Sequence, residues 1–407
     1  MSKENLFIIG GGASGFTASI FAKRKNPNLN ITIFEKNKRV LKKVLTTGNG
    51  RCNITNKNLS LNKYNREAEK FIKYAINSFG VPEAQKFFAS IGILFSEENG
   101  GKIFPMNKQA SSVVDMLLAE AEHLGINIKC ESEIINIKKK GSFFEIDINS
   151  ERLKSDKIIV SCGSKSGGGF SSGYEILKNF GHTITPLFPA VVQVKALGTK
   201  SLIGMKFVGK ASVLKSKKII EESEGEILFT DYGLSGPPIM NLSRVISKFF
   251  AEKKNLKEDI FISLDFLTEF TEGEIYSLLL ERRKILGHLN AELFLNGVIN
   301  KKISFEIMKR ANLKLSFPVS SISNSDLKTI SYLLKNFDFK AEGVMPFINS
   351  QVCAGGVELS QIEPCTMESK KVNGLFVTGE ILNVDGICGG YNLHWAWASG
   401  HLAGKSV

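Results

Sequence analysis

The stretch Leu6-Phe-Ile-Ile-Gly10-Gly-Gly12-Ala-Ser-Gly15, followed by Ile31-Thr-Ile-Phe-Glu35, decides the fold. Leu6 to Ile9 is a short apolar run of strand type, Gly10 to Gly15 a glycine loop, Phe16 to Lys25 a helix, and Ile31 to Phe34 a second strand closed by an acid. That order predicts a βαβ unit with parallel strands, and the loop fits GxGxxG with its acid at the expected distance. Gly10 permits the tight turn, Gly12 lets a pyrophosphate approach the backbone, and Gly15 lets the helix lie close on the sheet. Ala13 and Ser14 lie in the loop leading to the helix N-terminus, where free N–H groups and the positive end of the dipole attract phosphate. Glu35 is suited to the hydroxyls of an adenosine ribose and would repel a 2′-phosphate.

The other end of the chain repeats the logic. Gly374-Leu-Phe-Val-Thr-Gly379-Glu380 reads as a buried strand entering a glycine turn with an acid, and Asp385-Gly386 and Gly389-Gly-Tyr-Asn392 lead into a last helix. A second helix N-terminus brought to the same ligand favours FAD over NAD as the resident dinucleotide. The expected fold is α/β: a Rossmann-type FAD-binding domain built from residues 1–191 and 344–407. It is interrupted by an inserted substrate or cap domain over 192–343, β-rich in 192–267 and helical in 268–343.

Within the first part, Val113 to Leu124 has helical periodicity. Asn127 to Cys130, Ile134 to Lys138, Phe143 to Ile148 and Lys157 to Ser161 read as strands, which adds a β-meander to the core. In the insert, Val191 to Ala196, Met205 to Leu214, Ile219 to Glu222 and Ile227 to Phe229 alternate as strands, and Leu234-Ser-Gly-Pro237 reads as a rigid turn where the β-rich part gives way to helix. Glu272 to Leu286, Ala291 to Gly297, Ser304 to Ala311 and Asp326 to Asn336 are expected helices, and Val344 to Phe347 a strand resuming the first domain.

The 407 residues are 43% hydrophobic and 23% charged, values of a folded globular chain, and no apolar run reaches membrane-spanning length. No membrane association is expected, and the start of the chain reads as a strand rather than a signal peptide, so the expected location is cytoplasmic. Six cysteines without CxxC spacing indicate no metal site and separate thiols. The net charge of +13 is spread as a lysine-rich surface without a basic stripe interleaved with aromatics, so no nucleic-acid partner is expected.

Further segments carry a resemblance: Lys43-Val-Leu-Thr-Thr-Gly48-Asn-Gly-Arg51-Cys-Asn53, Gly181-His-Thr-Ile-Thr-Pro186, Leu228-Phe-Thr-Asp-Tyr-Gly-Leu-Ser-Gly-Pro237, Ala354-Gly-Gly-Val357 and Gly374 to Gly404. With the Gly10 loop, they make the chain similar to the bacterial NAD(P)/FAD-dependent oxidoreductases of the aminoacetone oxidase-like and bile-acid delta-4 reductase family. The resemblance implies that Gly48, Asn49, Gly50, Arg51, Cys52 and Asn53 wrap the FAD, Arg51 as a cation near phosphate or ribityl oxygens. It also implies cofactor contacts at Lys36, Lys43, a backbone group of Ile134, Ser161, Cys162, Gly163, Gly379, Glu380, Asp385, Gly389, Gly390, Tyr391, Asn392 and Leu393.

The chain departs from the family at Leu41-Lys42-Lys43, where Gly-Arg-Lys is common, and at Ser161-Cys162-Gly163-Ser164. The loop Gly167 to Gly173 lacks a frequent Asp and is expected to be mobile; Cys388 and His394 replace Thr and Gln. Candidate proton donors beside the flavin are His394, Tyr391 and Tyr232, while Trp395 and Trp397 are expected to pack the core.

The expected activity is FAD-dependent hydride transfer to or from a small organic substrate, with NAD(P)H as a transient co-substrate. The alternatives are an oxygen-using amine oxidase, a folate- and FAD-dependent RNA-modifying protein, and a non-enzymatic flavin redox sensor. Substrate and oligomeric state stay open.

Overall fold

A computed structural model describes residues 4–149, 151–169, 172–252 and 258–407. The chain divides into two compact units, one of residues 1–187 with 352–407 and one of residues 188–351.

In the first unit, five described strands form a parallel sheet in the order Leu375–Val377, Lys157–Val160, Asn5–Ile9, Asn30–Phe34, Asn127–Lys129. The sheet is apolar on both faces, as a sheet covered by helices on both sides must be: Leu6, Ile8, Ile31, Ile33, Ile158 to Val160 and Leu375 to Val377 are all buried. The helix Ala13–Lys25 follows the first strand, and the C-terminal helix Tyr391–Ser406 packs along it. The contact depends on small residues. A Cβ on Gly400 would lie 2.4 Å from the Ser14 carbonyl oxygen, and one on Gly404 would lie 2.4 Å from that of Ala18, so only glycines allow the two backbones this close. The last helix of the chain is thereby fixed beside the first. In the chain between the strands Asn30–Phe34 and Asn127–Lys129 lie the helices Glu69–Ser78, Val81–Ser90 and Ala110–His123 and a small antiparallel sheet. The meander Ile134–Lys140, Phe143–Ile148, Glu151–Ser155 follows.

The second unit is built on a closed barrel. Its described strands run in the order Val194–Ala196, Gly233–Ser235, Lys218–Phe229, Lys206–Lys215, Ile260–Asp265, Phe337–Val344, the last pairing back to the first. Ala211, Val213, Ile227, Phe229, Ile262, Leu264, Phe337 and Phe339 fill a core of their own.

Several expectations for this unit are corrected. The helical half does not run to residue 343: the helix Asn324–Lys335 gives way to the strand Phe337–Val344, which belongs to the barrel. Its Phe337, Phe339 and Ala341 point inward while Lys340 and Glu342 are exposed. Hence no strand at Val344 to Phe347 resumes the first domain, and Phe347–Asn349 is a 3-10 turn. Ile219 to Glu222 and Ile227 to Phe229 are one strand, Ala291 to Gly297 holds only a 3-10 turn at Ala291–Leu293, and in the stretch 234–237 the first two residues finish the strand Gly233–Ser235, the turn falling at Gly236 with φ of +100°. The helix Pro237–Glu252 follows the turn at Gly236; Ile239, Leu242 and Ile246 form its buried face.

Candidate functional site

The first glycine turn behaves as two kinds of position. A Cβ on Gly10, where φ is +107°, would lie 2.4 Å from the Ser161 carbonyl oxygen, and one on Gly15 would lie 2.2 Å from that of Gly10. At Gly12 a Cβ would meet no protein atom within 4 Å. The protein itself therefore requires glycine at 10 and 15, while the bare face at Gly12 is the one that a ligand can approach. Gly12 caps the helix Ala13–Lys25 without a side-chain hydrogen bond, so the amides of its first turn, Ala13 and Ser14 among them, are not taken up by a capping side chain. Glu35 stands at the end of the second strand; its Oε1 accepts from Asn37 N at 2.9 Å and Asn37 Nδ2 at 2.5 Å, while Oε2 accepts from Gly11 N at 2.9 Å and keeps a lone pair for a ribose. Lys36 follows it. Ser132 N donates to Glu35 O at 2.9 Å, which draws the segment leading to Ile134 toward this end of the sheet. Ser161 serves the turn rather than a ligand, since its hydroxyl donates to Ile9 O and Gly10 O. The Cys162 thiol reaches Ile9 O, and Gly163 has a positive φ with no protein atom near a built Cβ.

The segment 43–56 links this region to the tail. Lys43 Nζ meets Glu380 at 2.5 Å, and Glu380 also accepts from Ser166 Oγ at 3.1 Å and Cys353 N at 3.0 Å, so one carboxylate ties together four separate stretches of chain. Gly48, Asn49, Gly50 and Cys52 all have positive φ, which makes this loop a run of left-handed turns. Arg51 pairs with Glu98 at 3.1 Å, donates to Gly48 O and lies 4.5 Å over the Phe104 ring, contacts that fix its guanidinium within the loop. Neither Glu98 nor Phe104 carries a sequence signal for this role. Beyond it the chain runs along the C-terminal helix. Trp397 donates to Ile54 O at 3.1 Å, Thr55 Oγ1 meets His394 Nδ1 at 2.9 Å, and Asn56 donates to Gly389 O at 2.9 Å.

At the tail, Gly379 N donates to Ser399 Oγ and Trp395 donates to Gly379 O, so the tryptophans do more than fill the core: they join the turns to the helix. Asn392 closes the turn before the helix through Gly386 N and Gly386 O, both at 2.7 Å. Asp385 exchanges backbone and side-chain hydrogen bonds with Asn65. Gly389 and Gly390 have φ of +132° and +97°, and Gly390 begins the helix with no side-chain cap. Leu393 packs against the core.

The three proton-donor candidates separate. His394 is fully buried, holds both ring nitrogens in hydrogen bonds to Thr55 and Phe79 O, and is pushed down to about 4 by burial, so it is a neutral structural group. Tyr232 lies in the other unit. Tyr391 opens the C-terminal helix, and burial raises its phenol, keeping the proton on. None of the six cysteines forms a disulfide, and burial pushes Cys52, Cys162, Cys353 and Cys388 up to about 12, which favours the protonated thiol at neutral pH. Of the loop expected to be mobile, Phe170 and Ser171 lie outside the described residues. No group of metal-ligating side chains occurs among the described residues, and no described helix is long and apolar enough to cross a membrane.

Cavity volume does not mark the site. A concavity of about 310 Å³ beside Phe34, Lys129 and Ile148, and one of about 200 Å³ on the outside of the barrel, contain none of the glycine-turn residues. The residues present fit FAD on other grounds: an uncrowded glycine at one uncapped helix N-terminus, an acid at the end of the next strand, and a second uncapped N-terminus.

Comparison with known proteins agrees. The chain is 36% identical over 405 residues to the 3-dehydro-bile acid delta(4,6)-reductase of Clostridium scindens, covering 98% of each chain. It is 27% identical to the ribosomal RNA dihydrouridine synthase of Haemophilus influenzae, over 99% of this chain and 98% of that one, and 26% identical to that of Escherichia coli. The HI0933-like protein Rossmann domain matches residues 4–406, so the chain belongs to that family and is an FAD-dependent oxidoreductase.

Proposed function

We propose that this protein is a reductase of activated double bonds in small organic molecules, with NAD(P)H as a transient electron donor and unit 188–351 supplying substrate specificity. The observation that carries this reading is the 36% identity, across essentially the whole of both chains, to a bile acid reductase. A single dinucleotide fingerprint stands in the chain, so a nicotinamide would visit the flavin rather than occupy its own domain.

FAD supplies the hydride chemistry when bound. The chain would hold its pyrophosphate at the amides following Gly12, its adenosine ribose at Glu35, and the electron-rich edge of its ring at the uncapped N-terminus of Tyr391–Ser406. Tyr391 would keep the proton that the reduced substrate needs, because desolvation holds its phenol protonated.

Anaerobic mixing of the yellow protein with NADH, NADPH and candidate amines, followed by flavin absorbance, tests this. Rapid bleaching by a pyridine nucleotide is expected; bleaching by amines alone would make the protein an amine oxidase. In Tyr391→Phe, flavin reduction should proceed normally while substrate reduction slows about 10²-fold or more.

A second reading, an enzyme acting on ribosomal RNA, rests on the two full-length relatives so named and on the net charge of +13. Dihydrouridine formed in an unmodified rRNA transcript by the holoprotein and NADPH would favour it over the small-molecule reading.

A further inference from the structure

Residues 53–56 run beside the start of the C-terminal helix. Ile54, Thr55 and Asn56 are each hydrogen-bonded to that helix or its glycine turn, through Trp397, His394 and Gly389. Asn53 is the exception. It is 8% exposed, and its Oδ1 is buried without a hydrogen-bond partner. Its amide is held against the turn: a Cβ on Gly390 would lie 3.0 Å from its Cγ, Nδ2 and Oδ1 alike. A desolvated amide oxygen with no donor is costly to bury, so its retention asks for a partner that the chain does not provide.

The chemistry of the unsatisfied atom narrows that partner. Oδ1 accepts only, and phosphate oxygens accept only, so a phosphate would leave it unsatisfied; the site also lies at the second helix N-terminus and not at the first, where the pyrophosphate is assigned. A flavin ring differs in one respect that matters. When a hydride arrives from the nicotinamide, the donor C–H bond breaks, both electrons enter the ring, an N–H bond forms at ring N5, and the donor leaves oxidised. A ring nitrogen that was an acceptor has then become a donor.

We infer that Asn53 is a redox-tuning contact, its side-chain carbonyl receiving the N–H that the flavin gains on reduction and so favouring the reduced cofactor. This rests on the flavin reading above. In the oxidised protein the amide can present its NH₂ to the same nitrogen, but that bond is neutral on both sides, whereas the reduced ring adds a donor to an electron-rich system that Gly390 and the helix N-terminus also face.

The test measures the flavin midpoint potential by dye equilibration in wild type, Asn53→Leu and Asn53→Ala, with flavin affinity followed separately. A tenfold loss of preference for the reduced form is expected, a midpoint about 30 mV lower for a two-electron couple, with flavin stoichiometry retained. An unchanged midpoint in a variant that holds flavin overturns the inference, and so does weaker affinity with an unchanged midpoint, which would place Asn53 on a ribityl hydroxyl. Should both variants lose flavin, the side-chain amide resonances of Asn53 in the wild-type holoprotein decide: they must shift between oxidised and reduced forms, and identical resonances overturn the assignment. A wild-type protein that takes up no flavin would instead remove the proposed function itself, and this inference with it.

Discussion

The chain has two glycine turns that each open onto an uncapped helix, and they are built differently. At Gly10 and Gly15 the nearest crowding atoms are main chain, Ser161 O and Gly10 O, which stand where side chains would go. At Gly389 and Gly390 they are side chains, Tyr391 and Asn53, brought from a neighbouring position and from the far end of the sequence. Backbone at Gly10 and Gly15 cannot move aside for a side chain. A turn enclosed by side chains can yield when those side chains yield.

The largest expected effect lies in the first turn. Gly10→Ala combines a positive φ with a main-chain clash and should cost about 3 kcal/mol of stability, read from denaturant midpoints. Gly12→Ala should change stability by no more than about 0.5 kcal/mol, because its Cβ meets only open space, yet lower flavin affinity tenfold or more. Equal destabilisation by both would break the distinction between protein-facing and ligand-facing glycines.

Acid probes the second turn. His394 and His401 both lie on the C-terminal helix, and burial pushes both down to about 4, His394 against Phe79 and His401 against Phe21 and Phe79. In the unfolded chain each titrates near 6.5. Between those values the unfolded state binds more protons, so stability should be flat above about pH 6.5 and fall as pH drops toward 4. Each histidine adds a slope of up to about 1.4 kcal/mol per pH unit. Denaturant melts across pH 4 to 8 check this; stability that rises on acidification would contradict the buried, neutral assignment.

A smaller effect sharpens the comparison. Gly390→Ala should cost about 1–2 kcal/mol for its left-handed φ, and the part due to the Asn53 amide should disappear in Asn53→Ala, a coupling of about 0.5–1 kcal/mol in a double-mutant cycle. Gly10→Ala should show no such coupling. Least of all, iodoacetamide should label exposed Cys365 quickly and leave buried Cys52 and Cys353 unmodified in the native protein.

Legibility followed the same division. The strand Asn5–Ile9, its glycine loop and Glu35 could be read directly, because spacing along one short segment specifies them. So could the helix Glu272–Leu286, where Thr271 and Glu274 form a capping box. Phe337–Val344 carries the period-two pattern of a strand, but its membership of a barrel depends on Ile260–Asp265 and Val194–Ala196, remote in sequence. Arg51 shows the limit at the site: a guanidinium suits a phosphate and a glutamate equally well, and only folding brought it to Glu98. For His394 the sequence shows an ionisable group, while burial and two hydrogen bonds make it an inert one.

From the amino-acid order alone came the dinucleotide-binding character of both chain ends, since glycine spacing, apolar strands and a terminal acid are local requirements of backbone geometry and charge. The tertiary structure decided which polar groups are already satisfied by protein and which are left without a protein partner. That distinction separates Arg51 and His394, both held by hydrogen bonds, from Asn53 with its unpartnered Oδ1, and it arises because hydrogen bonds and desolvation depend on neighbours that chain distance does not reveal.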